Sequence, residues 1–294
     1  MRALVTGGSG FVGSFLVDEL LKRRWKVSIL DTSSPKYGSH RDARFIHGNI
    51  TDESAVEGAV RDQDYVFHLA GLLGTHELVG RAFDANLVNV GGVIRVLDAV
   101  KKFGACLISV SKPNCWLNPY TITKVASEQY IALYRKEFGI HAAVVKWFNV
   151  YGGRQPLMEA SGYRKAIPTW IVAALNGEPV EVYGDGQQTM DLVHTTDTIE
   201  ATLSLLENWD RCDGLVFEIG SGEETEVNYI ADRVVDITES ASPIHHIPMR
   251  PGETPQTRIR ADISLIRDMT GWKPRISLNE GLQETVEWYR LRYA

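Results

Sequence analysis

The sequence predicts an α/β fold: a doubly wound parallel sheet with a smaller, interleaved α/β lobe. Three observations predict it. A short apolar strand runs straight into a glycine-rich turn and a helix, Thr6-Gly7-Gly8-Ser9-Gly10-Phe11-Val12-Gly13. Strands and helices then alternate at the spacing of βαβ units to about residue 150. The chain of 294 residues, 44% apolar and 23% charged, has ordinary globular composition and can bury a large core.

The first unit is a strand over Arg2–Thr6, a turn, and a helix over Phe11–Lys22 with apolar residues at Phe11, Phe15, Leu16 and Leu20. Glycines at 7, 10 and 13 allow a tight turn, backbone approach to a phosphate, and close helix–strand packing. The helix start then offers free amides and a favourable dipole to a dinucleotide pyrophosphate. A second strand, Lys26–Leu30, ends at Asp31, eighteen residues beyond Gly13. An acid there accepts hydrogen bonds from a ribose diol and repels a 2′-phosphate, so NAD is expected rather than NADP.

Further units follow. Residues 45–52 read as a strand leading into a helix capped by Thr51 or Asp52. Tyr65–Gly71 is a buried strand with a small-residue exit where a cofactor ribose can lie against the backbone. Asn86–Lys101 is a helix and Ala105–Val110 the next strand. This is a Rossmann-type sheet, with ligands expected at the carboxyl ends of its strands.

The net charge of −6 gives no basic field for nucleic acid or an anionic membrane, and neither partner is expected. No apolar run approaches the roughly 20 residues of a transmembrane helix, and the opening Met1-Arg2-Ala3-Leu4-Val5 does not read as a signal peptide. Cys106, Cys115 and Cys212 are scattered, without metal-ligand spacing, so no metal is expected and a reducing cytoplasm is.

The chemistry centres on Tyr120-Thr121-Ile122-Thr123-Lys124. Residues four apart share a helix face, and Pro119 suits the first turn. A free tyrosine, with a pKa near ~10, is too weak an acid to act as a base at neutral pH. A nearby ammonium and a cationic nicotinamide would lower that value, so that Tyr120 can take a proton from a substrate hydroxyl as its hydride leaves.

Taken with Asp31, Gly48–Asp52, His68-Leu69-Ala70-Gly71, Asn89-Val90-Gly91-Gly92, Phe148-Asn149-Val150-Tyr151-Gly152, Val182–Gly186, Arg250-Pro251-Gly252-Glu253 and Gly271-Trp272-Lys273-Pro274, these motifs resemble the extended short-chain dehydrogenases/reductases of the nucleotide-sugar epimerase/dehydratase family, and UDP-sugar 4-epimerases within it. The resemblance runs over nearly the whole length. It implies that Gly7, Gly10, Phe11, Val12, Gly13, Asp31, Asn49, Ile50, Leu69, Ala70, Gly71, Asn89, Tyr120 and Lys124 hold NAD. It implies a nucleotide-diphosphate sugar, a UDP-sugar, at Asn149 and Arg250, with Arg154 and Tyr183 as further substrate contacts. It also implies a homodimer, with helices Arg81–Lys102 and Tyr120–Phe138 facing a twin subunit.

Three departures from the family pattern shape the expected reaction. The Ser or Thr that orients the reacting hydroxyl is assigned to Ser111, yet only eight residues separate it from Tyr120. Lys112 and Pro113 stand where the family's dehydratases carry Asp-Glu, which disfavours elimination. Met190 stands where relatives generally carry an arginine at the diphosphate, leaving that work to Arg250 and Arg154. The expected enzyme is an NAD-dependent 4-epimerase with Tyr120, Lys124 and Ser111 as catalytic residues. A 4,6-dehydratase, a 4-keto-sugar reductase and a non-catalytic nucleotide sensor are the alternatives. The NAD-binding domain is expected to comprise residues 1–151 plus about 189–216, and the sugar-binding lobe about 152–188 plus 217–294.

Overall fold

A computed structural model describes residues 1–37, 40–113, 115–158 and 162–293. The strands in chain order are β1 (Arg2–Thr6), β2 (Lys26–Asp31), β3 (Arg44–His47), β4 (Tyr65–His68), β5 (Cys106–Ser111), β6 (Ala142–Trp147), β7 (Asn149–Tyr151), β8 (Val180–Tyr183), β9 (Thr189–Met190), β10 (Leu192–His194), β11 (Val216–Ile219), β12 (Thr225–Glu226) and β13 (Ile244–Ile247). Seven of them form one parallel sheet in the order β11-β6-β5-β4-β1-β2-β3. The strand order reverses between β1 and β4, and a doubly wound sheet opens a crevice at the carboxyl ends there.

Strands buried on both faces need continuous apolar runs, and β1 and β2 supply them. Alternate side chains enter opposite layers. Val5, Ile29 and Phe67 pack with Leu16, Leu20 and Phe217 on one side. Leu4, Leu30 and Val66 pack with Val56, Val96 and Leu97 on the other. A separate core joins helices Ala166–Leu175, Val227–Thr238 and Leu278–Tyr293 through Trp170, Ile230 and Leu282, under the parallel pair β8 and β13.

Local signals explain the elements that carry the crevice. Asp52 caps helix Glu53–Val60 by accepting from the Ala55 amide at 3.2 Å, which settles the choice between Thr51 and Asp52. Asn118 caps helix Pro119–Phe138 through the Thr121 amide at 2.9 Å, with Pro119 in the first turn and Gly139, at φ 67°, ending it. The helix expected from Asn86 begins earlier, at Ala82, and passes through a π-helical stretch at Asn86–Gly91 before Gly92–Phe103. Such bulges are frequent at functional sites, and this one carries Asn89.

Candidate active site

A cavity of about 530 Å³ occupies the crevice. Its dinucleotide end is built from glycine. Gly7 has φ 72°, and a Cβ there would lie 2.9 Å from the Ala70 amide nitrogen; one on Gly13 would lie 2.2 Å from the Gly7 carbonyl oxygen. Gly10, at the N-cap of helix Phe11–Lys22, brings no side chain to the first amides, so they face the cavity without a protein cap. Asp31 at the end of β2 accepts the Ser9 and Ser33 amides, each at 3.0 Å, which joins the loops after β1 and β2. Each carboxylate oxygen keeps a lone pair for a ribose hydroxyl. A small-residue cradle, open helix amides and a carboxylate together fit a dinucleotide with a free ribose diol.

The opposite wall is fixed from behind. The Thr6 hydroxyl bonds His68 Nδ1 at 2.8 Å and accepts the Ala70 amide at 3.2 Å. Burial, with the nearby Lys124 ammonium, lowers the His68 pKa from 6.5 to about 3, so this ring is neutral. Asn89 is buried and does not line the cavity. Its Oδ1 accepts the Leu72 amide at 2.7 Å while its Nδ2 donates to the Leu72 carbonyl at 3.0 Å and to Thr123 Oγ1 at 3.1 Å. It therefore positions the wall that Leu69, Ala70 and Gly71 present to the cavity, rather than touching a ligand itself. Gly10, Phe11, Val12, Asn49 and Ile50 line the cavity as expected.

At the middle of the cavity β5 meets helix Pro119–Phe138. Tyr120 and Lys124 share a face of that helix, with the ammonium 5.9 Å from the Tyr120 ring centre and donating to the Val110 carbonyl at 2.8 Å. Ser111 ends β5 and donates to Glu128 Oε1 at 2.5 Å; Glu128 also pairs with Lys146 at 3.1 Å. Glu128 was legible, since it falls four residues beyond Lys124 on the same face. With its proton committed to Glu128, the Ser111 hydroxyl presents lone pairs to the cavity and can accept from a substrate hydroxyl.

The expectation that Lys124 lowers the Tyr120 pKa is not met in the free chain. Burial pushes the phenol well above its usual range and Tyr163 pushes it further. Lys124 is itself desolvated, falling to about 8 despite the field of Glu128, with Lys112 lowering it further. Its ammonium points at a carbonyl and gives the phenol little help.

The far end of the cavity is lined by Asn149, Tyr163, Arg164, Lys165, Met190 and Arg250. Asn149 donates to the Asp191 carbonyl at 3.2 Å. Arg250 pairs with Glu253 and sits 5.3 Å from the Tyr183 ring centre. Tyr183 lies behind that guanidinium, outside the cavity lining, and accepts from Arg164 at 3.2 Å. Arg154 is also outside the lining. Its guanidinium pairs with Asp18 at 2.8 Å and rests 4.2 Å from the Phe15 ring centre, which bolts the loop after β7 to helix Phe11–Lys22. Besides Arg250, Arg164 and Lys165 also reach this cavity. Nothing local in the sequence shows whether such a charged loop is solvated or turns toward an acidic sugar; the fold turns these two side chains to the cavity. No group of three or more His, Cys, Asp or Glu side chains among the described residues is arranged to hold a metal ion, and no helix among them is long and apolar enough to cross a membrane.

Residues 3–220 match the NAD dependent epimerase/dehydratase family. A putative UDP-glucose 4-epimerase of Methanocaldococcus jannaschii is 32% identical, over 98% of this chain and 98% of its own. A UDP-N-acetyl-alpha-D-glucosaminuronate decarboxylase of Bacillus cytotoxicus is 29% identical, again over 98% of both chains. Among solved structures, UDP-glucose 4-epimerase of Thermotoga maritima with UDP-glucose superposes with a TM-score of 0.92 at 30% identity, covering 99% of each chain.

Proposed function

Because the chain belongs to the NAD-dependent epimerase/dehydratase family, we propose that it is a nucleotide-sugar 4-epimerase acting on a UDP-sugar. One observation carries the reading. Tyr120, Lys124 and Ser111 converge on one cavity whose neighbouring β5 exit offers Lys112 and Pro113, with no carboxyl group among the described lining residues there that could protonate a leaving hydroxyl.

When bound, NAD supplies a hydride acceptor that later returns the hydride, and a cationic ring whose charge favours the phenolate of Tyr120. The residues do the rest. Ser111, anchored by its bond to Glu128, stands beside the sugar O4 and fixes its position, leaving the single O4 proton to Tyr120. Tyr120 takes the O4 proton as C4 is oxidised and returns it after the 4-keto sugar has turned over. Lys124, whose ammonium donates to the Val110 carbonyl, would hold the cofactor ribose. Arg250, steadied by Glu253 and the Tyr183 ring, meets the diphosphate. The cycle needs no further acid or base.

The proposal divides the chain nearly as the sequence does. Residues 1–151 plus about 189–216 hold NAD, extended to Ile219 because β11 completes the main sheet and joined by Ile266 and Trp272 in its core, while the other residues form the sugar lobe. It also makes the enzyme a cytoplasmic homodimer. Phe83 and Leu87, and Ile122 and Leu133, are exposed apolar residues on two helices that pack on each other, supporting a shared four-helix face.

Incubation with UDP-glucose, UDP-N-acetylglucosamine, UDP-glucuronate and dTDP-glucose, followed by NMR, tests the reading. A 4-epimer formed without net NADH supports it. A 4-keto-6-deoxy product, a decarboxylated pentose, or stoichiometric NADH use refutes it in favour of a dehydratase, a decarboxylase or a reductase.

A further inference from the structure

Resting on that reading, we propose that Lys112 is a specificity-determining residue that selects a sugar bearing a carboxylate next to the reacting carbon, a nucleoside-diphosphate hexuronate.

The charge lining the cavity is lopsided. Among the described residues it presents Lys112, Lys124, Arg164, Lys165 and Arg250, against a single carboxylate, Asp31, at the dinucleotide end. The two arginines are already matched. Arg164 pairs with Glu181 at 2.9 Å and Arg250 with Glu253, and both guanidinium groups lie near the Tyr183 ring, 5.4 and 5.3 Å from its centre. That group suffices for a diphosphate.

Lys112 belongs to a different place. It follows Ser111 directly, and its ammonium is 5.5 Å from the Tyr120 ring centre, so it stands at the reacting end. It donates to Thr121 Oγ1 at 2.7 Å and to no other acceptor among the described residues. An ammonium has three protons, so two are left for a ligand. No carboxylate among the described residues pairs with it. The acidic groups whose fields reach it are the Cys115 thiol, which is no carboxylate, and Glu253, which is held by Arg250. Lys165, also without a carboxylate partner among the described residues, adds its repulsion. A half-buried, unpaired ammonium held among like charges is costly in a free chain, and an anion relieves it.

The geometry of the sugar identifies that anion. In a hexuronate the C6 carboxylate is two bonds from C4, the carbon whose hydroxyl Ser111 and Tyr120 handle. A cation beside both residues is therefore within reach of C6, whereas the diphosphate on C1 lies across the ring.

Calorimetric titration of the holoenzyme with UDP-glucuronate, UDP-glucose and UDP tests this without requiring turnover. One charge-assisted contact predicts that UDP-glucuronate binds on the order of tenfold to a hundredfold more tightly than UDP-glucose. In Lys112→Met that ratio falls to about one, with UDP affinity held within about twofold, since only the sugar contact is lost. In Thr121→Val, which removes the protein partner and keeps the amine, the ratio persists. Equal wild-type affinities for the two sugars overturn the proposal, and that comparison stands even if Lys112→Met fails to fold. Loss of the ratio in Thr121→Val overturns it too, because Lys112 would then be a strut. If the hexuronate is bound preferentially but yields no 4-epimer, the epimerase reading fails and the recognition stands.

Discussion

Asp191→Asn is the substitution whose cost the structure defines most closely. The side chain is fully buried, at 0% exposure, between the cavity-lining residues Met190 and Leu192. Its carboxylate accepts four hydrogen bonds. Oδ1 takes the Ser221 amide at 2.6 Å and the Ser221 hydroxyl at 2.8 Å; Oδ2 takes the Gly222 and Ala261 amides, each at 2.9 Å. Three loops are thus tied at one point. An asparagine is nearly isosteric, yet its NH₂ must replace one acceptor. At Oδ2 it would face two N–H donors. At Oδ1 the Ser221 hydroxyl can turn and accept, leaving only the Ser221 amide orphaned. That orphan costs about 1–3 kcal/mol. The two bonds at the remaining oxygen lose their charge assistance, roughly half their strength, for about 1–2 kcal/mol more. The total is about 2–5 kcal/mol, which for a chain of this size lowers the melting temperature by roughly 4–20 °C. Thermal denaturation followed by circular dichroism reads it. A variant melting within about 2 °C of wild type would refute the reasoning, because it would mean the carboxylate's charge contributes almost nothing there.

Tyr120→Phe removes the proton carrier and is expected to lower kcat by about 10²–10⁴-fold with NAD affinity retained; steady-state kinetics beside NAD titration checks it, and retained turnover would dismiss Tyr120 as the acid/base. Glu128→Gln is expected to mimic Ser111→Ala, each reducing kcat by on the order of tenfold with KM little changed, since both disturb one hydroxyl; a double variant that falls by the product of the two would separate them. His68 gives a pH signature. Its folded pKa is lowered to about 3 from 6.5, so between those values the unfolded chain binds the extra proton. Stability therefore falls as pH drops through that window, by up to about 4–5 kcal/mol from this group. Denaturant titrations at pH 7 and pH 4.5 should show a smaller loss in His68→Gln than in wild type; equal losses would mean His68 is not held neutral.

The first half of the chain was legible because its signals are local. Gly7, Gly13 and Asp31 announce their roles through backbone freedom and spacing, and the strands are continuous apolar runs. Tyr120 and Lys124 were legible for the same reason, since a helix fixes residues four apart. What the sequence hid was direction in space. Arg154 and Lys165 sit in the same charged stretch, yet one turns to Asp18 and the other into the cavity. Asn89 carries a recognisable motif, but only the fold shows that it braces Leu72 rather than lining the cavity. The effect of Lys124 on Tyr120 depended on desolvation, which spacing does not report.

The central claim, reversible oxidation at C4 within one site, is tested most directly with a UDP-sugar deuterated at C4. If the hydride leaves and returns within one cavity, as proposed, the product is a 4-epimer that retains deuterium at C4, with no label in solvent and no net NADH. Deuterium appearing at C6, washed into water, or trapped as labelled NADH would contradict it.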